Sequence, residues 1–245
     1  MKEGGAMSDN TKTNTFFLGV FIFLGFVSLG YLLSSGLIKF KEYERTVTAK
    51  GLSEREYDAD IVIWPIQFTQ ADNDLTALYN SLESNTLEIT SFLTNKGITP
   101  NEITFSTPAI TDKSAQQYGN SGNIEFRYSA AQTVTVYSTN VKTVREVMST
   151  LSELGKKGIV FTGENYDAAT EYIFTRLNDI KPEMIEEATR NAREVAEKFA
   201  ADSKSRLGKI RSASQGQFSI NPRDKNNPHI KKVRVVSTVI YYLSD

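Results

Sequence analysis

One histidine, His229, gives this 245-residue chain a single candidate for an imidazole general base, beside 29 Asp plus Glu residues that carry carboxylate chemistry. There is no cysteine, so thiolate nucleophiles, disulfides, iron–sulfur clusters and thiolate zinc sites are all excluded. A single imidazole cannot build a multi-histidine metal site. His229 stands beside Pro228 in a polar stretch and no G-x-S-x-G elbow is present, so it reads as a structural or solvent-exposed residue rather than a member of a triad. No phosphate-binding loop of either glycine-rich type occurs, and nucleotide binding has no support. A carboxylate pair of the glycosidase kind is assembled only by folding, and spacing does not exclude it. Glu183, Glu186, Glu187 and Glu194 read as the solvated face of a helix, with Arg190 and Lys198 spaced to pair with Glu186 and Glu194. No catalytic, cofactor-binding or metal-ligating residue is assigned.

Charge gives no more encouragement to polymer binding. Lys plus Arg total 28, the formal net charge is -1, and no global basic field exists to concentrate nucleic acid. Two basic clusters, Lys204, Arg206, Lys209 and Arg211, and Lys231, Lys232 and Arg234, suit anionic lipid or polymer. They read first as helix-end and strand-face charge diluted by acidic neighbours. Trp64, Tyr128, Tyr137, Tyr241 and Tyr242 fall in strand-like segments, where aromatics serve core and cross-strand packing before they serve ligands.

The elements that position these residues begin with an apolar run. No charge occurs between Lys12 and Lys39, and residues 15–38 are long enough to cross a hydrocarbon core of roughly 30 Å. The expected division is an N-terminal tail over 1–14, a membrane span over 15–38, a charged tether over 39–44 and a folded domain over 45–245. The apolar core exceeds that of a cleavable signal, so an uncleaved signal anchor is expected, although Ser34-x-Gly36 has the small-x-small form of a cleavage site. Lys2 and Lys12 precede the span and Lys39, Lys41 and Arg45 follow it, a count that leaves orientation open for a long domain. Gly19 and Gly30 share one helical stripe and Gly25 and Gly36 another. Small residues there let helices of identical copies approach closely.

Periodicity beyond the span predicts α+β layers, a largely antiparallel mixed sheet packed against two or three helices. Strands are expected at Arg45–Lys50, ended by Gly51, and at Asp60–Thr69, irregular in the middle at Pro65. A helix follows through Leu75, Leu78, Leu82, Ile89 and Leu93, capped by Asp72 or Asn73 and stopped by Gly97. Two antiparallel strands, Ile98–Thr111 and Ile124–Ser138, flank a hairpin loop at Tyr118–Asn123. A second helix runs through Val141, Val144, Val147, Met148, Leu151 and Leu154 to Gly155, followed by short strands near Gly158–Thr162 and Ala168–Leu177. The longest helix is expected to start at Lys181-Pro182 and to bury Met184, Ala188, Ala192, Val195 and Phe199. Its alanines let its partner come close. Strands at Gly208–Ile220 and Lys231–Leu243 close the domain around the loop Asn221–Pro228.

The order of these segments resembles the SIMPL-domain family, a domain of unknown function whose bacterial members are cell-envelope proteins. The opening block VTAKGLSEREYDADIVIW places Gly51 at the first family glycine and Asp60 at the acidic position. Ser53 and Ala59 replace a second glycine and a proline found in many members, which marks a sub-branch. YSAAQTVTVYSTNVKTVREVM matches the middle strand and helix, and EEATRNAREVAEKFAADSKSRLGKI matches the alanine-rich helix ending at Leu207-Gly208. GQFSI and VRVVSTVIYYL complete the resemblance, which covers roughly residues 45–245. It implies an envelope-facing domain able to form large ring- or channel-like homo-oligomers, with some members linked to tolerance of oxidative stress. No catalytic residues transfer.

The expected function is therefore a non-enzymatic, membrane-anchored homo-oligomer at the outer face of the inner membrane, held in the bilayer by residues 15–38, without cofactor and without nucleic acid. A monomeric envelope adaptor that binds a protein or polymer through a sheet edge is the second expectation. A carboxylate-based hydrolase is the third.

Overall fold

The structure, a computed structural model, describes residues 7–42, 45–115, 125–163 and 169–244. Its first element is a helix, α1 (Met7–Glu42), of 36 residues. Within it Phe16–Gly36 has a mean hydropathy of 2.4 and none of it is buried. The helix runs past Lys39, so the stretch expected to be a tether is still helical through Glu42. At Gly19, Gly25, Gly30 and Gly36 an added Cβ would meet nothing within 4 Å, so nothing among the described residues uses their smallness.

Ten strands and four more helices follow: β1 (Thr46–Asp58), β2 (Ile61–Asp72), α2 (Leu75–Asn95), β3 (Ile103–Phe105), β4 (Ala109–Asp112), β5 (Tyr128–Ser138), α3 (Val141–Met148), α4 (Ser152–Gly155), β6 (Val160–Phe161), β7 (Glu171–Ile173), α5 (Leu177–Asp202), β8 (Arg206–Gln215), β9 (Ser219–Pro222) and β10 (Ile230–Ser244). One sheet has the order β1-β10-β8 with β9 also on β10, and a second has the order β3-β5-β2-β6, with β4 on β5 and β7 on β2. The pairings of β8 and β9 with β10, and all those of the second sheet, are antiparallel. This is the α+β class expected of the sequence. The chain divides into two compact units, residues 1–53, 185–217 and 235–245 in one and 54–184 and 218–234 in the other. The strands β1 and β10 and the helix α5 contribute residues to both.

In the larger unit, β2 and β5 form a long regular ribbon whose inner face buries Val62, Trp64, Ile66, Phe68, Val134 and Val136. The helix α2 covers it with Leu78, Leu82, Ile89, Phe92 and Leu93, as its spacing predicts. Its N-cap is Asp74, whose carboxylate accepts from the Ala77 N–H, because Asp72 is used instead to receive the N–H of Asp74 itself. Gly97 stops the helix with φ +95. The expected break at Pro65 is absent: Val62 to Asp72 pair β5 without a shift. On the other side β7 covers residues 61–63 and β6 covers 68–69. Pro65 falls between them, where no strand among the described residues asks for its missing N–H.

The single helix expected at 141–155 is two. The hydroxyls of Ser149 and Thr150 donate to the carbonyls of Glu146 and Val147, and this local competition closes α3 before α4 begins. The strand expected to span residues 208–220 is likewise interrupted, into β8 and β9. The hairpin loop Tyr118–Asn123 lies outside the described residues, as does Ala168.

The smaller unit is built on small residues. Ala49, Gly51 and Ser53 alternate inward along β1, and α5 presents Ala188, Ala192, Ala196 and Ala200, all buried. Gly51 therefore does not end β1. It lets the strand lie on the helix backbone: a Cβ there would fall inside contact distance of the Ala188 carbonyl oxygen and the Ala192 nitrogen, and 2.9 Å from Ala192 Cα. The buried stripe of α5 accordingly keeps a four-residue step through Ala196 and Ala200. Val195 is only partly buried and Phe199 is 55% exposed, because neither fits so close a contact. The helix also starts earlier than expected, with Pro182 inside it.

Gly51→Ala must separate strand from helix or distort both, since the atoms it meets are backbone. The expected loss is about 3 kcal/mol or more, read as a lowered urea midpoint of the full chain in detergent. Gly19→Ala, which meets nothing, should leave that midpoint in place, and equal midpoints for all three proteins would refute the contact.

Candidate functional site

Two residues before the second long strand, the backbone turns at Ala59 and Asp60. The Asp60 N–H donates to the Ile173 carbonyl at 2.9 Å. Its carboxylate accepts from the Thr175 N–H at 3.0 Å, the Thr175 hydroxyl at 3.1 Å and Arg176 Nε at 3.2 Å. Burial pushes the carboxyl up, but hydrogen bonds from Thr175 and Arg176 outweigh it and hold Asp60 below the usual carboxylate range. Phe174, between β7 and α5, stacks on Tyr57 with ring centroids 5.4 Å apart and lies under the Arg176 guanidinium. Asp60 thus clamps the entry of α5 to the turn between β1 and β2. It is an architectural acid, spent on three donors.

The other residues singled out in the sequence have similar roles. Gly51 is the contact point of β1 with α5. Ser53, at the position of a second glycine, is buried and its hydroxyl donates to Glu187 at 2.9 Å. Next to it, the Asn191 amide donates to the Leu52 carbonyl at 2.8 Å. Leu207 is partly buried against the cluster of Ala49, Ala192, Ala196, Val239 and Tyr241. Gly208 lies where β8 slips against β10: Tyr241 faces Ile210 and Leu243 faces Leu207, so β8 carries an extra residue across from Tyr242. A Cβ at Gly208 would stand 3.0 Å from the Tyr242 carbonyl oxygen. Neither the bulge nor the clamp has a periodicity that sequence reading could detect. Only the residue types hinted at them.

His229 is partly buried, its carbonyl accepts the Ala59 N–H at 2.8 Å, and its ring lies 6.0 Å from that of Tyr172. Its Nδ1 is buried without a hydrogen-bond partner. Burial first, then the Arg145 charge, lowers its pKa below the ordinary imidazole value. It is a neutral packing residue with no hydroxyl nucleophile bonded to it.

The acidic residues do not converge. Glu183 pairs Arg55 at 2.8 Å, Glu54 receives Lys232 at 3.2 Å and Arg234 at 3.9 Å, and Glu56 receives Arg223 at 3.6 Å. On α5 the ion pair that forms is Arg193–Glu197 at 3.2 Å, in place of the expected pairs of Glu186 and Glu194. Asp112 is pulled down to about 2, chiefly by the Arg127 guanidinium. Among the described residues every carboxyl whose pKa is displaced, Asp60, Glu102, Asp112 and Asp224, moves down, the opposite of what a general acid requires. Among the described residues no group of three acidic or histidine side chains could hold a metal ion.

The aromatic residues are also dispersed. Trp64 belongs to the core of the larger unit and Tyr241 to the alanine cluster of the smaller, while Tyr137 is exposed. Trp64 does border a cavity of about 320 Å³ beside Pro65, with Met148, Leu151 and Phe161. On its polar side the Thr162 hydroxyl donates to Gln67 Oε1 at 2.7 Å.

The family model described as SIMPL, protein of unknown function (DUF541), matches residues 47–238. The chain belongs to the SIMPL family, and the match spans both compact units. No curated protein matches it in sequence.

Replacing the Asp60 carboxylate tests the clamp. A carboxyl with a lowered folded pKa contributes stability that is complete above its unfolded value, about 3.9, and is lost as pH falls through the folded value. Asp60→Asn should cost roughly 1–3 kcal/mol at pH 7, and the gap from the unaltered chain should close in acid, as pH falls through the lowered folded value. Urea midpoints at pH 7 and in acid check this; a gap of constant size would show that charge has no part in the clamp.

Proposed function

We propose that this SIMPL-family chain is a membrane-anchored, non-enzymatic protein whose role is to assemble with copies of itself at the outer face of the inner membrane. The observation that carries the reading is the wholly uncovered apolar helix. Phe16–Gly36 presents apolar surface on every side, and none of the described residues folds back over it. Lipid and other copies of the same helix are the partners such a surface accepts. The two glycine stripes, Gly19 with Gly30 and Gly25 with Gly36, are open to neighbours and supply close-approach faces on two sides, as a ring or cluster requires. The outer placement and a part in tolerance of oxidative stress enter this reading through the family alone.

A monomeric adaptor is the competing reading, and β8 is the observation that favours it. From Lys209 to Gln215 this strand is exposed on both faces and has β10 as its one partner among the described residues. Such an edge accepts an added strand from another protein.

The mass of the full chain in mild detergent separates these readings. A uniform multiple of the monomer is expected, falling toward the monomer when all four glycines become leucine. An assembly unchanged by the four substitutions would remove the helix from the interface. A monodisperse monomer would overturn self-assembly, and one stoichiometric partner recovered with it would favour the adaptor.

A further inference from the structure

Within the smaller unit, three strand ends meet where the membrane helix gives way to the fold. The Leu243 N–H donates to the Arg45 carbonyl at 2.9 Å, joining the end of β10 to the residue before β1. Ser244 and Leu243 face Arg206 and Leu207, which joins it to the start of β8. Arg45 Nη2 donates to the Ser205 hydroxyl at 3.2 Å, drawing in the link from α5. Glu42 is the last residue of α1, and three residues reach about 11 Å at most. The helix rises roughly 9 Å from Gly36 to Glu42. This end of the sheet therefore lies within about 20 Å of where the apolar span stops, the combined reach of a headgroup layer, a screening length and a long side chain.

The side chains gathered there are cations. Lys204, Arg206 and Lys209 are exposed and none has a carboxylate or other polar partner among the described residues. The second basic cluster is different, with Lys232 and Arg234 both held by Glu54 and Lys231 buried. From Ser203 to Pro222 the sequence has no acidic residue at all. Of the described side chains at this end, Arg45, Lys204, Arg206, Lys209 and Arg211 outnumber Asp202. Lys204 has φ 55, the one positive φ outside glycine among the described residues, and it forms the turn that delivers Arg206 to this end.

We infer that Lys204, Arg206 and Lys209 bind the phosphates of anionic lipid headgroups in the bilayer that α1 crosses, seating the fold on the membrane surface. The inference rests on the membrane-anchor reading. Lipid is favoured over a soluble anion because the cations follow a strand end fixed close to the bilayer and enclose no pocket. Their attraction is that of a juxtamembrane basic segment, screened by salt.

The test uses the full chain in lipid nanodiscs, either purely phosphatidylcholine or with a third phosphatidylglycerol. An amine-acylating reagent is added and the rate at each lysine is read by mass spectrometry, with Lys142 as reference. Acylation of Lys204 and Lys209 should slow about three-fold or more in the anionic discs and recover in high salt, and Arg206→Gln should weaken the protection. Equal rates in both discs would overturn the inference while leaving the anchor intact. Failure of the chain to enter either disc would instead overturn the anchor reading. Equal protection by millimolar inorganic phosphate in phosphatidylcholine discs would overturn the lipid assignment in favour of a soluble anion.

Discussion

The backbone of β1 at Gly51 lies directly on the backbone of α5 at Ala188 and Ala192, and much of the smaller unit follows from that contact. Two backbones approach so closely only when neither carries bulk at the meeting point, so the strand offers Ala49, Gly51 and Ser53 and the helix offers alanine at every fourth position. Small residues bury little apolar area each, at about 25 cal/mol per Å². Hydrogen bonds between the two elements therefore matter more here than in a leucine-rich core. Ser53 to Glu187 and Asn191 to the Leu52 carbonyl flank the glycine on the two elements and fix the register between them. Phe199, too large for this face, turns to solvent instead.

The larger unit obeys a different rule. Its core is made of large side chains from β2, β5, α2 and α3, packed in the ordinary way, and it tolerates a proline in its central ribbon because, among the described residues, neither of the two short neighbouring strands pairs at that nitrogen. What it must fix is the point where the chain enters α5. Asp60 does so by drawing three donors from Thr175 and Arg176 onto one carboxylate, against the cost of its own burial. The same side chain that would look like a catalytic acid in a list of charged residues is thereby committed to holding one loop.

Legibility in the sequence followed the physical signal each feature carries. Leu78, Leu82, Ile89 and Leu93 announce α2 because a covered amphipathic helix imposes a 3.6-residue repeat. The alternation of β5 was visible for the same reason, with a repeat of two. Asp74 as cap, the division at Ser149 and Thr150, and the bulge at Gly208 were not visible, since each depends on which of several polar groups wins a local hydrogen bond. Gly51 is the instructive case. A glycine after a β-branched run reads as punctuation, and only the arrival of a helix from more than a hundred residues later reveals it as a contact surface. The family residues were thus identifiable by position, while their roles needed the fold.

The internal polar groups of this chain are largely used up by such tasks, and what remains unspent lies on its surface. The carboxyls that depart from ordinary behaviour are drawn toward ionisation by arginines, hydroxyls and backbone N–H groups, which suits clamps and turns better than proton transfer. His229 keeps its Nδ1 away from any partner. By contrast, among the described residues the apolar helix has no cover, and Lys204, Arg206 and Lys209 have no counter-charge. The two features match the two layers of a bilayer, hydrocarbon for the apolar helix and anionic headgroups for the cations, and it is on this match that the proposed anchoring rests.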